Sequence, residues 1–145
     1  MMVRSQDHDA QIHTAGEASK SYVVAGAILK CNCGTQRTRL KIPFSHGVYI
    51  KGKAKMTVED YVPGIHIGSF GNCSNPANPA VAASTMVDIY GVKKAPCVPV
   101  LTMPWLHGKG DTKVEGKAAL LSHCTHKCLY GGDIVIENDG QQLDF

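Results

Sequence analysis

Aromatic residues are scarce in this 145-residue chain, 6% in all with a single Trp, and charged residues reach only 19%. The net charge is +3 with His neutral, too near balance for a protein whose main task is to grip nucleic acid. Long apolar runs are missing as well. The longest, Tyr22 to Leu29, falls far short of the ~20 residues that span a bilayer. Met1-Met2-Val3-Arg4-Ser5-Gln6-Asp7 has no apolar stretch of the signal-peptide kind. Neither a membrane protein nor a Sec-exported one is expected. Catalytic signatures are lacking too, with no GxxxxGK[ST], HExxH or GxSxG. Several Cys–His pairs can be drawn as nucleophile and base, but nothing selects one, so no enzymatic activity is expected.

What is present is turn-forming and sulfur-bearing. Fifteen Gly and seven Pro make the chain turn-rich, and an apolar share of 43% is that of one globular domain. Six Cys and seven His accompany them. Without an export signal the thiols are expected to stay reduced, where a Cys-rich small domain is more often a metal binder than a disulfide scaffold. The competing reading is that the cysteines are ordinary buried hydrophobes.

The first twenty residues are polar and read as a flexible or weakly helical arm; a domain is expected over 21–145. Ser21 to Leu29 is a strand-like opening broken by Gly26, and short apolar segments then alternate with Gly34, Pro43, Gly47, Gly52, Pro63-Gly64, Gly68 and Gly71. That spacing predicts many short strands. Asn78 followed by Pro79 predicts a helix start, with helix formers continuing until Gly91. Pro96–Val100 and Met103–Trp105 read as extended, and Gly131–Ile136 as a terminal strand. The expected class is mostly β with one short helix. A weak repeat aligns Val48-Tyr49-Ile50-Lys51-Gly52-Lys53-Ala54-Lys55-Met56 with Thr112-Lys113-Val114-Glu115-Gly116-Lys117-Ala118-Ala119-Leu120, two hairpins with Gly at positive φ. Lys51, Lys53 and Lys55 read as one solvated face of an edge strand. His46, His66 and His107 read as packing or surface residues, and Trp105 as an anchor in the core or at an interface.

The cysteines run Cys31-Asn32-Cys33, Cys73, Cys97 and His123-Cys124-Thr125-His126-Lys127-Cys128. No two CxxC pairs stand at finger spacing, so ligands would come singly from distant loops, an arrangement that zinc suits. Tyr22–Cys31, Ser69-Phe70-Gly71-Asn72-Cys73, Asn75–Ala83, Ala95-Pro96-Cys97-Val98-Pro99-Val100, Pro104-Trp105, Gly116–Leu121 and Cys128-Leu129-Tyr130-Gly131-Gly132 together resemble the PAAR-like proteins of the DUF4280 family, from about Tyr22 to Gln141.

The resemblance implies a small conical tip that sharpens a trimeric VgrG-type spike in a contractile injection machine, such as a type VI secretion system. Gly116-Lys117-Ala118-Ala119 looks like the motif behind the PAAR name, and Gly52-Lys53-Ala54-Lys55 departs from it at its last residue. The family's recurring cysteines fall on Cys31, Cys73, Cys97 and Cys128, implied ligands of one structural zinc per chain, with Cys33, Cys124, His123 and His126 as alternates. Cys31 and Cys33 point to the same side of a strand, so geometry alone does not choose between them. The implied partners are the spike trimer, a symmetry-mismatched seat for one chain, an effector or cargo protein, and transiently a target membrane; nucleic acid is not among them. The implied location is the cytoplasm of the producing bacterium, then outside it at the injection tip. An effector-carrying adaptor using the polar arm, and a free-standing zinc or redox protein, are the alternatives.

Overall fold

The computed structural model describes residues 11–12 and 20–142. Its strands in chain order are β1 (Gln11–Ile12), β2 (Lys20–Ser21), β3 (Ile28–Cys31), β4 (Thr38–Arg39), β5 (Tyr49–Ile50), β6 (Lys53–Ala54), β7 (Asn72–Cys73), β8 (Ala95–Pro96), β9 (Lys109–Val114), β10 (Lys117–Ala119), β11 (Thr125–Lys127) and β12 (Asp133–Asn138), with one helix, α1 (Pro79–Ala82). The expectation of a mostly β domain with one short helix holds. Of the polar arm, Gln11–Ile12 and Lys20 are described, Gln11–Ile12 pairing antiparallel with Lys20–Ser21; residues 1–10 and 13–19 lie outside the described residues.

Both expected hairpins form, as β5–β6 and β9–β10. Each reverses through a pair at positive φ, Lys51-Gly52 (53° and 79°) and Glu115-Gly116 (52° and 78°), the mirror-image turn whose twist matches paired strands. The hairpin overturns the single lysine face. Lys51 lies in the turn, Lys53 Nζ donates to the Gly140 and Gln141 carbonyls at 2.9 and 3.2 Å, and Lys55 is buried with Nζ 3.6 Å from the centre of the Tyr22 ring.

The repeat is threefold rather than twofold. Ile12↔Lys20, Ile50↔Lys53 and Val114↔Lys117 are equivalent pairs in β1–β2, β5–β6 and β9–β10, and the chain leaves each second strand along the same path. The Val23 N–H donates to the Leu120 carbonyl at 3.0 Å, Leu120 to Met56 at 3.1 Å, and Met56 back to Val23 at 3.0 Å. Two residues on, Ala25 donates to Ala54 at 2.8 Å, Val58 to Ala118 at 3.0 Å, and Ser122 to Ser21 at 2.8 Å. The bridges Tyr22↔Leu121, Val24↔Lys55 and Thr57↔Ala119 obey the same rotation. Each path ends in a turn closed by Ala27 on Val24, Asp60 on Thr57, or Cys124 on Leu121, at 3.2, 3.1 and 2.9 Å. Segments 21–27, 54–60 and 118–124 are thus three copies of one backbone unit. Val23, Met56 and Leu120 sit at its centre with 0% exposure.

The remaining core is carried by a four-stranded antiparallel sheet in the order β11-β12-β3-β4. In β12 the alternation of period two buries Ile134 and Ile136 and leaves Val135 40% exposed, as a strand with one wet face requires. β7 pairs with β8. Trp105 is the expected anchor, 3% exposed with its indole N–H on the Asp60 carbonyl at 3.2 Å. Asn78 caps α1 through the Ala80 N–H at 3.0 Å. The helix stops at Ala82 instead of running toward Gly91, because Ser84 captures the chain. Its hydroxyl donates to the Lys94 carbonyl and accepts from the Met86 N–H, a local side-chain bond that competes with helical ones. Among the described residues no helix is long and apolar enough to cross a membrane.

Met56→Ala is expected to cost about 2–5 kcal/mol, because it opens a cavity at the centre of the ring. Gly110→Ala, whose added Cβ meets nothing within 4 Å, is expected to stay within about 0.5 kcal/mol. Urea denaturation of the two variants beside the parent checks both.

Candidate metal centre

Five of the six cysteines line one cavity. Cys31 ends β3, and the turn Asn32–Cys33 brings Cys33 beside it; the Gly34 N–H closes that turn on the Cys31 carbonyl at 3.1 Å. β7 delivers Cys73, joined to this turn by the Gly34↔Cys73 bridge and by the Ser74 N–H on the Cys33 carbonyl at 3.0 Å. Cys97 follows β8, with its N–H on the Gly71 carbonyl at 2.7 Å. Cys128 occupies the turn between β11 and β12, bonded both ways across Gly131 and Gly132 at 2.8 and 2.9 Å. These five cysteines, with Phe70, Val98, Pro99 and Ile134 among the apolar walls, line a partly open cavity with about 20 Å³ of space for the centre of a water-sized guest. That space admits one water-sized atom or ion and no organic ligand. Gly132 is required there, since an added Cβ would stand 2.7 Å from Cys31 Sγ.

The thiols feel one another. Burial raises the Cys31 thiol above its ordinary value and the charges of Cys33, Cys97 and Cys128 push the same way, against a hydrogen bond from the Cys33 backbone. Burial likewise raises Cys97, aided by the charges of Cys73 and Cys128 and opposed by bonds from the Phe70 backbone and Ser69. Burial and the neighbouring charges thus favour the protonated form of Cys31 and Cys97 when no metal is bound. A cation would displace those protons and turn repulsion into ligation. Two donors from Asn75 already point at sulfur, its N–H at 3.4 Å from Cys73 Sγ and its side-chain amide at 3.5 Å from Cys33 Sγ, the kind of outer support that metal thiolates use. Among the described residues, no group of three or more Cys, His, Asp or Glu stands where it would hold an ion; the thiols rim the cavity without closing on one point.

Cys31, Cys73, Cys97 and Cys128 are therefore gathered in one place, with Cys33 beside them. The other alternates are elsewhere. Cys124 is 1% exposed, its sulfur accepting the Leu121 N–H at 3.3 Å. The His123 ring stacks on His107, 6.4 Å between centroids. His126 is buried edge-on against Trp105, and its Nε2 donates to the Met103 carbonyl at 2.6 Å. The sequence reading missed Asn75. It also missed an ionic cluster in which His46 and His66 meet Asp60; the Thr57-x-x-Asp60 spacing, that of a local side-chain cap, was the available signal.

In metal-free protein, iodoacetamide at about pH 8 is expected to label Cys124 last, at least about tenfold more slowly than Cys128. Burial both shields its thiol and raises it above its ordinary value. Mass spectrometry of the labelled peptides checks the order, and equal rates for the two would refute this placement.

A family model described as a domain of unknown function, DUF4280, matches residues 23–141. No curated protein and no solved structure matches the chain. The match begins at the first ring residue, Val23, and takes in all six cysteines and all three ring segments but for the first two residues of one; the chain belongs to the DUF4280 family.

Proposed function

We propose that this chain is a metal-clamped tip that caps a trimeric VgrG-type spike of a contractile injection machine. The observation that carries this reading is the closed threefold ring. A single chain on the axis of a trimer meets three copies of one surface, and three equal backbone units let it offer three near-equivalent contacts. The symmetry mismatch expected from the sequence is thereby largely relieved. Cargo carriage and transient contact with a membrane follow from the same reading.

The thiol cavity supplies the clamp. Zinc, when bound, supplies a tetrahedral cross-link by four thiolates. Four of Cys31, Cys33, Cys73, Cys97 and Cys128 would hold it, and the soft donors, the space for one ion and the Asn75 donors suit it. These residues come from four segments far apart in the chain, and each is only partly buried. A cross-link there joins those four segments directly, which suits a tip that must not splay under load.

Protein purified in reductant is expected to carry one zinc per chain by elemental analysis, and to form a complex of one chain with one spike trimer on size exclusion. Cys73→Ser and Cys128→Ser are expected to lose the metal and to melt lower by more than about 10 °C, since several kcal/mol of stability go with it. Unchanged melting in both variants would overturn the clamp. Absence of any complex with a spike would overturn the docking.

A further inference from the structure

The most heavily bonded carboxylate of the described residues lies outside the thiol cavity. Asp60 is 3% exposed, and its Oδ2 accepts from the Thr57 N–H at 2.7 Å and from the Thr57 hydroxyl at 3.3 Å. Two imidazoles close on the same group. His46 Nε2 stands 3.0 Å from both carboxylate oxygens, and His66 Nε2 stands 3.5 Å from Oδ1. The second ring nitrogen of His46, Nδ1, meets Glu115 Oε1, at the turn of the β9–β10 hairpin. His46 thus bridges two carboxylates of unlike setting, with side-chain exposures of 4% for Asp60 and 56% for Glu115.

A carboxylate only accepts, and a neutral imidazole has one N–H where an imidazolium has two. Both bonds of His46 therefore coexist only in the charged ring. When the ring loses a proton, the remaining N–H stays where an unpaired charge costs most, at buried Asp60. Glu115, bathed in water, is let go at little cost. His66 is no substitute at Asp60: its Nδ1 accepts the Val62 N–H at 3.2 Å, which puts its own proton on Nε2, but at 3.5 Å that contact is too long to replace two at 3.0 Å.

We propose that His46 is a proton-operated latch: charged, it ties the β9–β10 hairpin to the body of the domain through Glu115, and neutral, it frees the hairpin turn. The groups that face it are Asp60 and His66 from segment 57–67 and Glu115 from the hairpin; on its own loop the Ser45–Tyr49 hydroxyl pair is uncharged. Burial alone would lower His46, but the hydrogen bonds and charges of Asp60 and Glu115 outweigh it and raise the ring above its ordinary value. The latch is accordingly closed below the ordinary histidine range and opens as pH rises through the raised value. His66 runs the other way. Burial depresses it, with the charge of His46 adding and that of Asp60 opposing, so its contribution is present above the ordinary value and lost as pH falls through the depressed one.

The test is hydrogen exchange on the full chain between about pH 6 and about pH 9, expressed as protection factors, with the His46 ring followed by NMR. Protection of amides 109–119 is expected to fall about two- to fivefold, within the range for an exposed ion pair, in step with the His46 titration. The rest of the domain should stay unchanged. Glu115→Gln is expected to hold that hairpin at the low value throughout. A flat wild-type profile while His46 titrates would overturn the latch, as would a Glu115→Gln profile as steep as the parent's. Loss of protection spread evenly over the domain would overturn it too. The wild-type arm requires no substitution, so the outcome does not hang on any variant folding.

Discussion

Val23, Met56 and Leu120 each donate a backbone hydrogen bond to one of the other two and accept one from the third, in a closed cycle at full burial. Buried amides and carbonyls must be paired, and a chain whose longest strands are β9 and β12, six residues each, has little extended ladder in which to pair them. The cycle answers that constraint with three short hairpin exits in place of one wide sheet. It also leaves no open edge at the centre, the feature that otherwise invites pairing with other chains. Because it joins β1–β2 to the β9–β10 hairpin, the ring completes only when segments about 100 residues apart have met, which makes folding cooperative and rich in non-local contacts.

The thiol cavity is built on other elements, and in a different manner. β3 pairs with β12 and β7 with β8, the β7–β8 pair is joined to the β3 turn by the Gly34↔Cys73 bridge and by turn bonds, and the cysteines these elements carry are half-buried. Here the structure accepts a conflict: burial and neighbouring thiol charge both raise Cys31 and Cys97, the walls are too apolar to welcome thiolates, and there is room for one ion-sized guest. A domain whose ring is satisfied by backbone bonding alone can tolerate such a region, since the ring does not depend on it.

The hairpins were legible because Lys51-Gly52 and Glu115-Gly116 announce a reversal that few residue pairs adopt, and the helix start because Asn78-Pro79 is a cap with its own chemistry. The helix end was not legible, since it depends on Ser84 reaching Lys94 ten positions away. The third copy of the repeat escaped because symmetry here resides in backbone bonding. Lys20-Ser21-Tyr22-Val23-Val24 shares little with Lys53-Ala54-Lys55-Met56-Thr57 beyond the lysine and an apolar residue at the ring position. At the cavity, four thiols were named through resemblance to a family, and Cys33 stayed an alternate because the family's recurring cysteines fall on the other four, although a strand would already place it on the side of Cys31. The chain turns at Asn32–Cys33, and the turn likewise leaves both cysteines lining the one cavity. Of the Asp60 cluster only the local Thr57-x-x-Asp60 cap was within reach, because the other contacts, those of His46, come from positions 14 and 69 residues away.

One backbone donor explains how a symmetric ring supports unlike surroundings. The N–H that follows each ring residue points outward and must be satisfied. In the first unit Val24 donates to the Asp139 carbonyl at 3.1 Å, in the second Thr57 donates to the Asp60 carboxylate, and in the third Leu121 donates to the Cys124 sulfur. Ala27, Asp60 and Cys124 occupy the same place in the unit, so one structural demand is met by a distant carbonyl, a charge or a thiol. The charged solution recruits two histidines and a hairpin turn around it. The thiol solution commits its sulfur to the ring, which is why Cys124 is held apart from the other five. Differences at this single position therefore divide the domain: the bonds inside the ring stay equivalent, while the group that meets the outward donor is a backbone carbonyl in the first unit, a carboxylate in the second and a thiol in the third.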